Sequence, residues 1–381
     1  MSILIFILVL GLLIFVHELG HFILAKKTGM WVEEFAIGFP PRIFSFKKGE
    51  TQYSVGLFPI GGFVKIHGED YEENDSPAEK NGKEGNKTID KNYQRRFTSR
   101  PKWAQAVVLV AGVFFNLLLA WVLISLGFVS GLPVAVEQFE DEVVQDVNLI
   151  VVNVLPDSPA ELAGLEVGDA LLYLDSKNEL NEVEAVQDFK TAETAENFIA
   201  THGEQTLGIL YKRGEGNTFV QVVPKEGIIE GKPAIGVSFG MIGTVKLSPM
   251  SALWEGLKTT FAMVVATAVG LFYFLSSLIA GTADLSQISG PVGIVFMVGD
   301  AFSFGLVYLL SFVALISINL AVINLLPVPA LDGGRLLFIL IEAIKGTPIK
   351  AKTANWVNLI GFAVLLLLML VITFSDILKF F

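Results

Sequence analysis

Residues 3–25 read ILIFILVLGLLIFVHELGHFILA, a nearly continuous run of Ile, Leu, Phe and Val. At about 1.5 Å per helical residue, this run is long enough to cross the hydrocarbon core of a bilayer. A secretory signal peptide would begin with basic residues, whereas here the first positive charges, Lys26 and Lys27, follow the apolar run. We therefore expect a retained membrane span whose amino terminus lies outside.

The composition of the rest of the chain also indicates a membrane protein. Of the 381 residues, 52% are hydrophobic and 17% are charged, and the mean hydropathy is +0.60. Soluble domains carry about 25% charged residues. The absence of cysteine excludes disulfides and thiolate chemistry. Further span-length apolar runs cover residues 103–131, 304–326 and 356–374, and a fifth run, 250–280, also contains Glu255 and Lys258.

The distribution of charge predicts how these runs cross the membrane. Residues 26–102 contain 14 Lys and Arg against 11 Asp and Glu, whereas residues 132–250 contain 7 against 20. Because cytoplasmic loops are enriched in Lys and Arg, we expect the first region inside and the second outside. A basic cluster within 335–352 then also lies inside, which leaves one crossing between 250 and 335. The sequence predicts four spans, both termini outside, and an interfacial or re-entrant helix at 250–280.

A metal-binding pattern lies inside the first run. His17 and His21 are four residues apart, so their imidazoles share one helix face. Glu18 directly follows His17 and lies one position further around the helix. Two nitrogen ligands beside a carboxylate that can act on water suit a zinc site. A polar face in a helix bundle is the alternative. Buried ionisable groups within a membrane are costly without partners, so the pattern favours a metal.

The third ligand has to come from another part of the chain, because His67 and His202 are predicted in a cytoplasmic loop and in the external region. With the third span running inward, Asp332 arrives at the depth of His17 and His21. The stretch NLLPVPALDGG, residues 324–334, breaks the helix there through two prolines and two glycines. The alternative is a Pro-Gly helix terminus in which Asp332 only caps the next helix. We favour Asp332 as a ligand.

These residues together resemble a known family. HELGH in the first span and NxxPxPxLDGG near the third are similar to the site-2 intramembrane metalloproteases, and the match covers most of the chain. Residues 111–117, AGVFFNL, resemble that family's AGPxxNx stretch, with Val113 in place of proline. Residues 289–294, SGPVGI, resemble another family segment. The resemblance implies that His17, His21 and Asp332 bind Zn²⁺ and that Glu18 is the catalytic acid and base.

The same resemblance covers the two regions between spans. Residues 154–169, VLPDSPAELAGLEVGD, are similar to the family's PDZ domains, of which we count one, with a regulatory or substrate-screening role. Here Asp157 or Ser158 is expected to cap a short helix that Gly164 ends. Residues 42–46 and 51–55 flank KKGE and predict a β-hairpin. It resembles a membrane-associated element whose edge holds substrate as an added strand, although a peripheral anchor is an alternative.

The sequence therefore predicts an intramembrane zinc endopeptidase of the bacterial inner membrane. The resemblance further implies that its substrates are single-span membrane proteins, such as anti-sigma factors or remnant signal peptides, that an upstream site-1-type protease has already cut outside. No nucleic-acid partner is expected. Asn324 and Asn116 are candidates for binding the substrate backbone or the oxyanion. A membrane metal transporter and a non-catalytic PDZ adaptor are the alternatives; against transport, Glu18 is surplus to coordination.

The predicted fold class is a polytopic α-helical membrane protein with about four spans, a membrane-associated β-hairpin and one external PDZ-like α+β domain. The segments are 1–25, the first span; 26–102, the cytoplasmic loop with the hairpin; 103–131, the second span; 132–249, the PDZ domain; 250–303, the interfacial or re-entrant segment; 304–335, the third span; and 336–381, a cytoplasmic connection and the fourth span.

Overall fold

The computed structural model describes residues 1–69, 93–136, 139, 144–177, 183–186, 189, 191–203, 205–214, 216–229, 231–282 and 289–380. The chain divides into two compact units. The first comprises Met1–Gly127 and Met250–Phe381, and the second is Phe128–Pro249. The helices are α1 (Ser2–Lys27), α2 (Lys102–Ser130), α3 (Pro159–Leu162), α4 (Ala192–Thr201), α5 (Pro249–Ala280), α6 (Pro291–Ser303), α7 (Leu306–Leu325), α8 (Asp332–Lys345) and α9 (Ala351–Phe380).

Five of these helices are long and apolar enough to cross a membrane, by length and composition: α1, α2, α5, α7 and α9. The chain is thus consistent with a polytopic membrane protein that also contains β-sheet, as expected. The run at residues 250–280, predicted as interfacial or re-entrant, forms one continuous helix of 32 residues. The number of helices that cross fully stays a prediction.

The predicted hairpin is part of a longer β-ribbon. Strands β1 (Val32–Lys48) and β2 (Thr51–Ile66) pair antiparallel around the turn at Gly49. Residues 34–37 lie beside 62–65 and also beside 52–55, so the ribbon folds back on itself. As a result, residues 62–66 form an outer edge, and among the described residues no further strand lies next to it.

The turn of the ribbon is tied to the end of the first helix by charge. Glu50 accepts a hydrogen bond of 2.6 Å from Lys26 and a bidentate pair of 2.7 Å bonds from Arg95. α1 ends where the Thr28 hydroxyl bonds the Leu24 carbonyl and Gly29 adopts φ +76°. The charge-assisted hydrogen bonds of Glu50 therefore hold the turn of the ribbon beside the basic carboxyl-terminal end of α1.

The second unit has its own hydrophobic core. Leu149, Leu171, Leu174, Phe198 and Ile209 are buried within it. Its main sheet has the order β3-β11-β4-β5-β7-β8, with β6 paired to β5, and β9 and β10 form a separate pair. The strands are β3 (Leu132–Ala135), β4 (Val144–Val154), β5 (Ala170–Lys177), β6 (Val183–Val186), β7 (Leu207–Arg213), β8 (Gly216–Val222), β9 (Lys225–Ile229), β10 (Lys232–Ala234) and β11 (Val237–Val245).

The short helix α3 of this unit begins and ends at the residues that the sequence predicts. Ser158, rather than Asp157, caps α3 by accepting a hydrogen bond from the Glu161 amide, and Gly164 follows the helix with φ +84°. Pro159 occupies the first turn, where its missing amide hydrogen is not needed. These residues place α3 before β5, as predicted.

We predict that the Glu50 ion pairs stabilise the ribbon over the whole neutral range. The Arg95 and Lys26 contacts lower the pKa of Glu50 from 4.5 to about 2. A carboxyl whose pKa is lower in the folded state contributes stability above its unfolded pKa and loses that contribution as pH falls through its folded pKa.

The Glu50→Gln variant should therefore have a lower unfolding temperature in detergent. Its difference from the parent protein should be equal at pH 6 and pH 8 and should shrink only below pH 4.5. A difference that changes between pH 6 and pH 8 would contradict this assignment.

Candidate metal centre and active site

Three metal-ligating side chains from opposite ends of the chain meet in the first unit. His17 and His21 extend from one face of α1, and Asp332 is the first residue of α8. The His17 Nε2 lies 3.1 Å from Asp332 Oδ2 and 3.1 Å from His21 Nε2, and His21 Nε2 lies 3.4 Å from the same carboxylate oxygen. Both histidines are buried. The ligand set predicted from the sequence is thus brought together.

The spacing of these three atoms fits a zinc ion. Zinc bonds nitrogen and oxygen ligands at about 2.0–2.2 Å with tetrahedral geometry, which separates neighbouring ligand atoms by about 3.3 Å. The observed separations of 3.1, 3.1 and 3.4 Å are close to that value. Two nitrogens and one oxygen are also the donor set of many catalytic zinc sites, which keep a fourth position open.

Helix α2 packs directly against the ligand face of α1. The His21 Nδ1 lies 2.8 Å from the carbonyl oxygen of Val108. Because a carbonyl only accepts hydrogen bonds, Nδ1 carries the hydrogen and Nε2 presents its lone pair to the cluster. The Val108 carbonyl therefore selects the tautomer of His21 that can bind a metal.

Two glycines permit this close packing of helices. A Cβ on Gly112 would lie 2.4 Å from His21 Nε2 and 2.7 Å from His17 Cε1. A Cβ on Gly20 would lie 2.5 Å from the carbonyl oxygen of Ala111. Any larger residue at either position would push the two helices apart or displace the imidazoles.

A break between α7 and α8 positions Asp332. Helix α7 ends at Leu325, and α8 begins at Asp332. The sequence predicted that Gly333 and Gly334 provide sharp turns, but both lie within α8. Their role is close packing, since a Cβ on either would lie 2.2 Å from a carbonyl oxygen, that of Leu326 or of Val328.

Glu18 lies between two cavities that meet at the ligands. A cavity of about 410 Å³ is lined by His17, Glu18, His21 and Asp332 together with residues 63–66 of the ribbon edge. A second, of about 240 Å³, is lined by His17, Glu18 and Asp332 with Asn324 and residues of α7. Glu18 is half-buried, so its carboxylate is available to groups in either cavity.

The ribbon approaches Glu18 closely through a glycine. A Cβ on Gly62 would lie 3.5 Å from Glu18 Cγ and 2.9 Å from the Ala36 carbonyl oxygen. At the rim of the larger cavity, Arg335 donates a hydrogen bond to Glu69. The rim pair connects the start of α8 to the end of the ribbon edge.

The chain is similar to known proteins over nearly its whole length. Residues 5–368 match Peptidase family M50. The chain belongs to this family. It is 33% identical to the zinc metalloprotease RasP of Geobacillus kaustophilus over 100% of this chain and 98% of that protein. It is 34% identical to the regulator of sigma-W protease RasP of Bacillus subtilis, over 99% and 98% of the two chains.

A third relative, the putative zinc metalloprotease CPE1693 of Clostridium perfringens, is 34% identical over 97% of each chain. Membership of family M50, the site-2 proteases, confirms the resemblance drawn from the two motifs. It also confirms the predicted intramembrane zinc metalloendopeptidase and its zinc cofactor. Membership of a protease family argues against the two alternatives, a metal transporter and a non-catalytic PDZ adaptor.

The two predicted substrate-binding amides occupy different environments in this M50 protein. Asn324 lines the smaller cavity beside Glu18. Asn116 is fully buried, and its Nδ2 lies 3.2 Å from His17 Nδ1. Gly20, Gly62, Gly112 and the Glu69–Arg335 pair were not identified from the sequence as part of the site. Gly112 is the glycine of AGVFFNL, but a glycine offers no chemical signal of its own, because its role depends on a neighbouring helix.

We predict that Gly112→Ala removes metal binding. The added methyl would overlap both imidazoles, at 2.4 Å from His21 Nε2 and 2.8 Å from His17 Nε2. Purified protein should lose most of its zinc, as measured by atomic emission, although alanine favours a helix by about 1 kcal/mol relative to glycine. Gly270→Ala is the matched control, because nothing lies within 4 Å of its added Cβ. Full zinc content in Gly112→Ala would contradict this packing.

Proposed function

We propose that this chain hydrolyses a peptide bond within the membrane-spanning segment of single-span proteins, after another protease has removed their external part. One observation carries the proposal: the metal ligands, Glu18 and residues 63–66 of the ribbon edge line one cavity. A relative named regulator of sigma-W protease points to anti-sigma factors as one substrate class.

His17, His21 and Asp332 are the proposed ligands and Glu18 the proposed acid and base. These three side chains would hold zinc, which would supply Lewis-acid chemistry toward the scissile carbonyl and the attacking water. Glu18 takes a proton from the attacking water and then delivers it to the leaving amine nitrogen. Its place between the two cavities supports both steps, since water and substrate can lie on different sides of the carboxylate.

Substrate has to be extended before it can be cut. A helix in lipid hides its peptide groups, because each carbonyl is already bonded within the helix. We propose that the edge at residues 62–66 holds the unwound segment as an added strand. Two observations support this: the edge lacks a strand partner among the described residues, and Phe63 to Ile66 line the cavity that contains Glu18. Gly62, which has no side chain, lets this edge lie close to Glu18.

Asn324 is the amide that we propose contacts substrate. It lies in the smaller cavity together with Glu18 and Asp332, where a polarised carbonyl oxygen needs a hydrogen-bond donor. Asn324 is half-buried and lies one residue before the carboxyl-terminal end of α7.

The rest of the ribbon is proposed to contact lipid. Its outer part carries large apolar side chains that are about half exposed or more, as expected for a surface that lies in the bilayer and not in water. These residues are Phe39, Ile43, Phe44, Phe46, Leu57 and Phe58.

Contacts within the first unit support a topology of four full crossings. Trp121 and Ser125, near the end of α2, contact Leu253 and Gly256 at the start of α5. Gly299 of α6 packs on Ser2, at the start of α1. Since α1 and α2 are antiparallel, both contacts are on the same side of the bundle, so the chain from α5 to α6 begins and ends on that side. We propose that this side is external.

The second unit is proposed to be a PDZ domain that screens substrates. Residues 237–241 of β11 pair with β4 on one side, and β3 pairs only with residues 242–245. Among the described residues, the other edge of 237–241 therefore has no strand partner, and it faces α4 across a cavity of about 430 Å³. A groove between a helix and a free edge is what an extended peptide end requires.

The proposal predicts different losses for Glu18 and Asp332. Glu18→Gln should retain zinc and lose about 10²–10⁴-fold in cleavage of truncated single-span substrates in liposomes, because only proton transfer is removed. Asp332→Ala should lose both zinc and activity. Glu255→Gln, an acidic residue on α5 outside the site, is the control. Unchanged cleavage by Glu18→Gln, or full zinc content in Asp332→Ala, would overturn the assigned roles.

The proposed orientation can be tested with introduced cysteines, since the chain contains none of its own. Lys350→Cys, exposed between α8 and α9, should react with a membrane-impermeant maleimide only after cells are permeabilised. Asn217→Cys, exposed on β8, should react in intact cells. Labelling of Lys350→Cys in intact cells would reverse the orientation.

A further inference from the structure

Asn116 of α2 is a buried amide with a single partner. The side chain is fully buried, its Nδ2 lies 3.2 Å from His17 Nδ1, and its Oδ1 has no hydrogen-bond partner among the described residues. Among those residues, Asn116 lines neither of the two cavities that contain Glu18. The sequence suggested contact with substrate, but this side chain contacts a metal ligand.

The contact belongs to a regular register between two helices. Val108, Gly112 and Asn116 are spaced four residues apart on α2, as His17 and His21 are on α1. The Val108 carbonyl meets the Nδ1 of His21, Gly112 lies against both rings, and Asn116 meets the Nδ1 of His17. Each imidazole therefore has Nε2 in the ligand cluster and Nδ1 against α2.

The two Nδ1 atoms have the same chemical requirement. An imidazole that binds a metal through Nε2 carries its hydrogen on Nδ1 and needs an acceptor there. The Val108 carbonyl is such an acceptor for His21. Within the described part of the chain, the side chain that meets His17 Nδ1 is the Asn116 amide, whose oxygen can take the place of its nitrogen by a half-turn about the Cβ–Cγ bond.

We propose that Asn116 is a positioning residue, which accepts the Nδ1 hydrogen of His17 and so fixes the tautomer and ring orientation in which His17 binds zinc. The inference rests on the zinc site of the proposed function and replaces a role for Asn116 in substrate binding. The hydroxyl of Ser317 on α7 donates a 2.8 Å hydrogen bond to the Asn116 carbonyl oxygen, a contact to the backbone that does not involve the side-chain amide.

The test compares three variants of the full-length protein in detergent. Asn116→Leu removes the acceptor at similar volume, and Asn116→Asp keeps an acceptor oxygen. Ser317→Ala removes the neighbouring hydrogen bond without touching the ring. Zinc affinity is measured by competition with a chelator, and the visible spectrum of the cobalt-loaded protein reports the ligand geometry. If Asn116→Leu fails to fold, Asn116→Ala takes its place.

Loss of a group that orients a metal-bound histidine weakens metal binding by about 10–100-fold. We expect that loss, with an altered cobalt spectrum, in Asn116→Leu. Asn116→Asp should restore most of the affinity, and Ser317→Ala should bind zinc like the parent. Parent-like zinc affinity in Asn116→Leu, with reduced cleavage alone, would overturn the inference and indicate a substrate contact. Equal losses of zinc affinity in Asn116→Leu and Asn116→Asp would also overturn it, and would indicate that Asn116 acts only through helix packing.

Zinc binding and cleavage by the parent protein distinguish a failure of this inference from a failure of the proposed function on which it rests. If the parent binds no zinc, the metal site itself is wrong and the inference falls with it. If the parent binds zinc and cleaves substrate while all Asn116 variants bind zinc equally well, only the role of Asn116 is wrong.

Discussion

The approach of two imidazoles and one carboxylate inside an apolar helix bundle is the constraint on which the structure depends. The facing atoms of His17, His21 and Asp332 lie within 3.4 Å of one another, and both histidines are buried, where an ionisable group is costly without a partner. A metal ion compensates that cost only if all three donors point to one place. Helices α1, α2, α7 and α8 must therefore pack more closely than helices with large side chains allow.

Small residues allow this close helix packing at each contact with the cluster. Gly20 lets α1 approach the backbone of α2, Gly112 leaves space for both imidazoles, and Gly333 and Gly334 bring α8 against the broken end of α7. The same principle operates at Gly62, where the ribbon edge reaches Glu18. Because helix backbones in lipid associate through close packing, these glycines determine the geometry of the site without supplying any chemistry.

The two units of the chain meet different physical requirements. Helices such as α5 and α9 keep large apolar side chains exposed, for example Phe272 and Leu367, and so need lipid around them. The second unit buries its own leucines, isoleucines and aromatics beneath a sheet, as a water-soluble domain does. In each unit a strand edge, at residues 62–66 and at 237–241, has no neighbouring strand among the described residues, and our proposal places an extended peptide at both edges.

The sequence by itself determined the local parts of this protein. Apolar run length identified the long helices, the spacing of His17 and His21 put both rings on one face, and the prolines before Asp332 ended α7. The Ser158 cap and the ribbon turn at Gly49 were likewise readable, because each depends on residues a few positions apart. Only the tertiary structure decided that Asn116 contacts His17, that Gly112 lies against both rings and that residues 63–66 border the cavity. Those contacts depend on the rotation and axial register of packed helices and on the folding back of the ribbon, which long-range packing sets and no local pattern encodes.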